Sequence, residues 1–172
     1  MLCRPNYSDQ KLIADYLAGD EKSLEILIRN YLKPIYSFVY RYVGNSQDAQ
    51  DITQEVFIKV WKNLKKFDKN KKFTTWIFQI AKNTCFDFLK KKKPILISDF
   101  SNFEIPVEPA FLATAEINSV LEQLPLKYRL IIFLRYNDHF KFREIAEILE
   151  EPLNTIKSQH RRAIIMLKKL LC

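Results

Sequence analysis

Gly19 and Gly44 are the only glycines in a chain of 172 residues. Tight hairpin turns draw on glycine for the positive φ of their central positions, so a sheet of many short strands would have almost no turns to use here. Alternating β-branched runs are few as well, and apolar residues recur instead at intervals of three and four. The chain is expected to be all-α. Its length is enough to close two small helical cores.

The glycines fall where helices should stop. Ser8 can cap a helix ending near Ala18, with Gly19 as its stop and Asp20 as the next cap. From Glu21 the residues Leu24, Leu27, Ile28, Tyr31, Ile35, Phe38, Val39 and Tyr42 share one face up to Gly44, and Pro34 inside the run is expected to bend or interrupt it. Ser46 is expected to cap a third helix with Ala49, Ile52, Val56, Val60 and Leu64 inward and Phe57 and Trp61 beside them. Lysines from Lys65 to Lys72 break the pattern, which reads as a loop. Thr74 or Thr75 then begins a helix to about Lys92, with Trp76, Ile77, Ile80, Ala81, Thr84, Cys85 and Phe88 inward, while Phe73, Phe78 and Phe86 do not all fit that stripe.

Residues 94–112 hold Pro94, Pro106 and Pro109 and no basic residue, as expected of a flexible linker between a domain at 1–93 and another at 113–172. In the second domain Thr114 can cap a helix to about Gln123, and Pro125 can start the next. Residues 141–169 then read as two helices joined by a tight turn, with Phe142, Ile145 and Ile148 buried in the first and Ile156 and Ala163 in the second. This is a helix-turn-helix pattern. Its second helix carries Thr155, Lys157, Ser158, Gln159, Arg161 and Arg162, cations for phosphates and polar forks for base edges.

Charge follows the same division. The net charge of +8 resolves into +8 over residues 1–93, −5 over 94–126 and +5 over 127–172. Two basic bodies joined by an acidic strap suit two separate contacts with a polyanion. In the first body, aromatics interleave with cations from Lys65 to Lys93. Single-stranded nucleic acid needs that combination, since bases stack on rings and ammonium groups hold phosphates, although aromatics at helical spacing also serve as core.

Several classes of function find no support. Cys3, Cys85 and Cys172 have no C-x-x-C pairing, and His139 and His160 sit in different contexts, so neither a zinc site nor a disulfide framework is indicated. No nucleophile–base set is apparent, and two glycines cannot build a phosphate loop; no cofactor is expected and no enzyme activity. Asp48, Asp51 and Glu55 share one helical face that could hold a hard cation, yet such a face is more often solvated, and no metal is expected. An acidic face on a basic body is better suited to a basic surface of a partner protein. The start of the chain lacks a signal-peptide core and no run is long enough to span a membrane, so a cytoplasmic location is expected.

At this point the chain resembles the small two-domain extracytoplasmic-function (ECF) group of bacterial sigma factors. The resemblance covers nearly the whole sequence: Gly19-Asp20, Asp48-Ala49-Gln50-Asp51-Ile52-Thr53-Gln54-Glu55-Val56-Phe57, Phe73 through Trp76-Ile77, Ile80-Ala81-Lys82-Asn83, Leu124-Pro125, Glu144-Ile145-Ala146-Glu147 and Thr155-Ile156-Lys157-Ser158 occur in the family's order and approximate spacing. It implies a subunit that binds RNA polymerase core and directs promoter-specific initiation. Asp48, Asp51, Gln54 and Glu55 would meet the β′ clamp helices. The loop and helix carrying Lys66, Lys71, Lys72, Phe73, Thr74, Trp76, Phe78, Lys82, Asn83 and Lys90 would melt and read the −10 element as single-stranded DNA. Arg143, Thr155, Lys157, Ser158, Gln159, Arg161 and Arg162 would read the −35 element as duplex, near the β flap. An anti-sigma factor is a further partner of the kind the resemblance admits.

Against the family pattern, Gln50 replaces a Glu, Glu150 and Asn154 replace Gly in or near the turn, Glu151 replaces an apolar residue and Gln159 replaces a common Arg. A left-handed Glu150 would cost roughly 1–2 kcal/mol. The alternative reading is a stand-alone helix-turn-helix regulator whose N-terminal helical domain binds a ligand or dimerises.

Overall fold

The computed structural model describes residues 8–92 and 115–171, and among these every regular element is helical. In order they are α1 (Asp9–Leu17), α2 (Glu21–Val43), α3 (Ser46–Asn63), a 3-10 turn (Leu64–Lys66), α4 (Phe73–Lys92), α5 (Ala115–Glu122), α6 (Leu126–Ile132), a π-helical turn (Phe133–Asn137), α7 (Phe142–Leu149) and α8 (Leu153–Leu171). The expected linker, the Thr114 cap and the first residues of the chain lie outside the described residues. No helix of the described residues is long and apolar enough to cross a membrane.

Local chemistry sets the boundaries. Ser8 caps α1 and Asp20 caps α2, each accepting a backbone N–H of the first turn. Gly44 ends α2 in the left-handed region at φ 71°, which a side chain would oppose. Two boundaries differ from the sequence expectation. Asn45, whose Oδ1 accepts from the Asp48 N–H at 3.0 Å, caps α3 in place of Ser46, and α4 begins at Phe73, ahead of Thr74. Pro34 does not interrupt α2. Its missing N–H falls on an exposed face where water can serve the unpaired carbonyl, while Leu27, Ile35 and Phe38 anchor both flanks in the core.

The N-terminal helices pack α2 on α1, α3 and α4 around Leu12, Ile13, Leu27, Phe38, Ile52, Val56 and Ile77, all about 1% exposed or less. Phe57 joins this core, but Trp61 turns out to solvent, 53% exposed. In the C-terminal part, buried Arg129 donates to the carbonyls of Glu122 (2.9 Å) and Leu124 (3.1 Å), tying the end of α5 to α6. Helix α8 packs on α6 and α7 through Ile156 and Ala163.

The two parts touch. Helix α7 lies along α4, and the apolar core runs on from Phe38 and Ile77 to Phe140, Ile145 and Ile148. This explains why Phe78 fell off the single stripe expected for α4: the helix is covered on two sides. Phe78 packs edge-on against Phe38 at 5.2 Å and Phe140 at 4.9 Å between centroids.

Candidate nucleic-acid and polymerase interfaces

Three surfaces collect the residues singled out by sequence. On α3, Asp51, Gln54 and Glu55 are exposed and Asp48 is half-exposed, because the buried stripe Ala49–Ile52–Val56–Val60 turns them outward. Glu55 is shared with Lys59, whose Nζ lies 2.9 Å from its Oε1. The same outward stripe continues into Ile58 and Trp61, 49% and 53% exposed. Sequence reasoning missed both. Ile58 stands seven residues after Asp51 and three after Glu55, so an apolar residue breaking a polar face was the available signal.

The second surface lies across α3, the 3-10 turn and α4. A concavity of about 450 Å³ is lined by Lys59, Asn63, Lys66, Trp76, Ile80, Asn83 and Thr84. Trp76 forms one wall, braced by Phe67 and Phe73 at centroid distances of 5.0 and 5.6 Å. Lys59 reaches the opposite wall, donating to Thr84 Oγ1 at 3.1 Å. An indole, an amide and ammonium groups thus share one opening sized for a small planar group. Lys59 and Asn63 were absent from the residues expected at the −10 element, and Thr84 was expected only as an inward residue, because the three come together only when α3 crosses α4.

The remaining residues expected at the −10 element divide. Lys66, Lys71, Lys72 and Lys90 are exposed, and the Lys90 ammonium sits 4.4 Å from the centroid of the Phe86 ring. Lys82 and Asn83 are half-buried and joined, Lys82 Nζ donating to Asn83 Oδ1 at 3.1 Å. Thr74 is partly buried, its hydroxyl 2.8 Å from that of Tyr31. Phe73 and Phe78 are 3% and 2% exposed. Neither ring has a face open to a base in this arrangement: Phe73 supports Trp76, and Phe78 is covered by Phe140.

The third surface is α8. Lys157, Ser158, Arg161 and Arg162 are exposed, Thr155 and Gln159 half-exposed, and Arg143 on α7 is exposed as well. Gln159 Nε2 donates to Glu151 Oε2 at 2.8 Å. An ionised carboxylate only accepts, so this bond fixes which way the amide points. Ser158 Oγ donates to the Thr155 carbonyl at 2.9 Å. His160 meets Phe142 edge-on at 5.0 Å between ring centroids and lies 3.1 Å from the Tyr136 hydroxyl. Desolvation, helped by Arg135, lowers its pKa below the usual histidine value. The turn is left-handed at Glu150, with φ 56° and ψ 39°, as feared for a residue standing in place of glycine.

An all-α chain with a helix-turn-helix at one end and a cationic, aromatic-walled concavity at the other is built as a DNA-binding transcription protein with two contact regions. Residues 27–95 match the family model for Sigma-70 region 2, and residues 114–167 match that for Sigma-70 region 4. The chain is 34% identical to the ECF RNA polymerase sigma factor SigW of Bacillus subtilis, over 94% of this chain and 96% of the relative. It is 31% identical to the ECF RNA polymerase sigma-E factor of Escherichia coli K12, over 91% and 90%. Among solved structures, CnrH in complex with the cytosolic domain of CnrY shares the fold with a TM-score of 0.70 at 21% identity, over 95% of this chain and 96% of that one. The sigma factor RpoE of Bartonella quintana, solved with the anti-sigma factor NepR, does so with a TM-score of 0.69 at 22% identity, over 87% and 97%.

The chain belongs to the ECF group of RNA polymerase sigma factors. Such a protein directs promoter-specific transcription as a subunit of the polymerase and performs no chemistry itself, which displaces the reading as a stand-alone regulator.

Proposed function

We propose a division of labour among the three surfaces. Asp48, Asp51, Gln54 and Glu55 meet the β′ clamp helices, with Ile58 and Trp61 adding an apolar patch to the acidic one. The charges steer association and the exposed indole supplies area that desolvates on docking. The concavity on α3 and α4 receives an unstacked base of the −10 element. Lys66, Lys71, Lys72, Lys82 and Lys90 hold the flanking phosphates around Trp76 and Asn83, while Phe73, Thr74 and Phe78 act as support beneath that surface. Opening a duplex costs a few kcal/mol, which a closed base pocket must offset.

The exposed face of α8 reads the −35 duplex near the β flap. Arg143, Lys157, Arg161 and Arg162 supply cations, and Thr155, Ser158 and Gln159 supply hydrogen-bonding edges. The Gln159 amide, held by Glu151, keeps one N–H and its carbonyl for a base, which suits adenine, whose N7 accepts and whose N6 amino group donates in the major groove. Residues 1–93 and 113–172 act as two domains whose contacts reinforce each other through the acidic linker at 94–112. The protein works in the cytoplasm, where polymerase is. An anti-sigma factor is a further partner, as NepR is for RpoE of Bartonella quintana.

The observation that carries this reading is the concavity where Trp76, Asn83 and Lys59 converge. A promoter selected from genomic fragments by the holoenzyme, carrying 2-aminopurine at successive −10 positions, tests it. Fluorescence should rise at one flipped position with wild type and fail to rise with Asn83→Ala, while duplex −35 binding is unchanged. Normal melting by Asn83→Ala would refute the pocket.

A further inference from the structure

Helix α1 precedes the residues matched to Sigma-70 region 2, which begin at 27, yet the first turn of α1 is wired to the elements that build the concavity. The Tyr31 hydroxyl on α2 lies 2.5 Å from Asp9 Oδ2 and 2.8 Å from Thr74 Oγ1. An ionised carboxylate only accepts, so Tyr31 donates to Asp9 and its oxygen accepts the Thr74 proton. The two bonds run in one direction, from α4 through α2 to α1, and each polarises the other. Burial, and then the bond to Asp9, raise the Tyr31 pKa above the ordinary tyrosine value, so the hydroxyl keeps its proton at neutral pH. Gln10 Nε2 adds a long bond to the Lys69 carbonyl in the loop before α4, at 3.4 Å.

The same tyrosine bears on the wall of the concavity. Its ring meets Phe73 edge-on at 5.2 Å between centroids, and Phe73 in turn packs on Trp76 at 5.6 Å. Phe73 and Thr74 open α4, so Tyr31 grips the first turn of that helix twice, by a ring contact and by a hydrogen bond. Trp76 stands three residues after Phe73 and on nearly the same face, so it turns with whatever turns Phe73. Edge contacts between rings tolerate sliding, whereas a hydrogen bond weakens steeply off its line. The polar chain therefore supplies the registration that the aromatic stack lacks. Leu12 and Ile13, each 1% exposed, fasten α1 in the core and make its acid a fixed point.

We propose that Asp9 and Tyr31 are positioning residues for −10 recognition: through Thr74 and Phe73 they set the orientation of Trp76, and so how well an unstacked base is held. The inference rests on the base-pocket reading of Trp76 and Asn83 given above. Neither Asp9 nor Tyr31 lines the concavity, and each acts on the base through the indole. The other end of α1 has a separate contact, where the Tyr16 hydroxyl accepts from the Trp61 indole at 3.0 Å on the surface proposed to meet the clamp. One short helix thus holds both tryptophans of the chain, by different side chains.

The test labels the full chain with 5-fluorotryptophan, and Trp61→Phe assigns the two fluorine resonances. Tyr31→Phe, which keeps the ring, and Asp9→Ala should shift or broaden the Trp76 resonance and leave that of Trp61 in place. Tyr16→Phe should do the reverse, a sorting that a general loss of stability would not produce. Asp9→Asn keeps an oxygen for the Tyr31 proton and should resemble wild type. In holoenzyme on a promoter with 2-aminopurine at the flipped position, Tyr31→Phe and Asp9→Ala should slow the fluorescence rise about threefold to tenfold, as one hydrogen bond lost from a positioned site would. Retention on core and −35 duplex binding should change less than about twofold, and Asp9→Asn should open the promoter within about twofold of wild type. With Asn83→Ala still defective, an unmoved Trp76 resonance, opening at the wild-type rate by Tyr31→Phe, or failure of Asp9→Asn alongside Asp9→Ala would overturn the positioning role and leave the pocket standing. Normal opening by Asn83→Ala would overturn the pocket and the positioning role with it.

Discussion

At Arg41 and Asp138 a double substitution should be nearly harmless where either single one is not. Their side chains are 8% and 13% exposed and 97 residues apart in sequence, and one nitrogen–oxygen contact of 3.3 Å joins them. Desolvation pushes the guanidinium pKa down and the carboxyl pKa up, in both cases against their mutual attraction. Burial thus costs each charge more than the partner returns, and apolar residues in both places should be tolerated. Removing one partner is different, because it strands the other. Asp138→Leu leaves the guanidinium with the Phe133 ring, 4.4 Å below it, as its remaining neighbour of suitable chemistry, and should cost about 4 kcal/mol. Arg41→Met leaves Asp138 with the Asn137 amide at 2.8 Å and should cost about 3 kcal/mol.

The double variant Arg41→Met, Asp138→Leu should lie within about 1 kcal/mol of wild type, a coupling that far exceeds what exposed pairs give. Urea unfolding followed by far-ultraviolet circular dichroism measures all three. Acidification supplies a second signature. In Arg41→Met the Asp138 carboxyl loses a cation and its folded pKa climbs further above the unfolded value. Stability from such a group is full below the unfolded pKa and is lost as pH rises through the folded one, so this variant should regain stability as pH falls from 7 through the raised Asp138 pKa. Two single variants each within 1 kcal/mol of wild type at pH 7 would refute the claim that burial dominates the pair.

The remaining expectations concern the interfaces. Asp51→Arg should abolish retention on RNA polymerase core without altering the circular dichroism spectrum, since Asp51 is exposed; unchanged retention would remove α3 from the clamp contact. Arg162→Ala should weaken binding to the −35 duplex by about 1–3 kcal/mol in a gel-shift titration, and equal binding would count against its reading role. Glu151→Ala frees the Gln159 amide to rotate, so a library randomised over the −35 element should show looser preference at one position, with overall affinity held or raised. A preference as sharp as that of wild type would mean that Glu151 does not orient the amide.

Much of the fold could be read from spacing and caps. Both glycines stop helices, Ser8 and Asp20 cap them, and the inner stripe from Ala49 through α3 to Leu64 of the 3-10 turn is buried throughout. These features depend on residues within a turn or two of one another. Trp61 was misplaced because its position borders two faces, and what decides between them is the Tyr16 hydroxyl, which accepts from the indole at 3.0 Å across 45 residues. Pro34 leaves α2 continuous; local geometry counts the lost hydrogen bond and omits the packing on either side. The concavity was half legible: the family resemblance pointed to Trp76 and Asn83 on α4, although the helical stripe alone placed Trp76 inward, whereas Lys59 and Asn63 become neighbours of theirs only through the crossing of α3. Contacts between the two regions join residues 68 to 97 apart in sequence, and helical periodicity carries no information at that range.

Glu150 shows how a local anomaly and a distant contact explain each other. Glycine would relieve the left-handed backbone at this position, and a side chain there costs roughly 1–2 kcal/mol. Considered alone, the residue weakens the turn it sits in. The same backbone conformation, however, lifts the side chain out of the helix axis and toward α4, where Lys82, Gln79 and Asn83 take up both carboxylate oxygens. Those bonds draw its pKa below the usual glutamate value, Lys82 foremost. Strain of that size is about what one such cluster of charge-assisted bonds can offset. The turn therefore gains little stability from Glu150 on balance, and what the residue adds is a connection between the end of α7 and the exposed edge of α4.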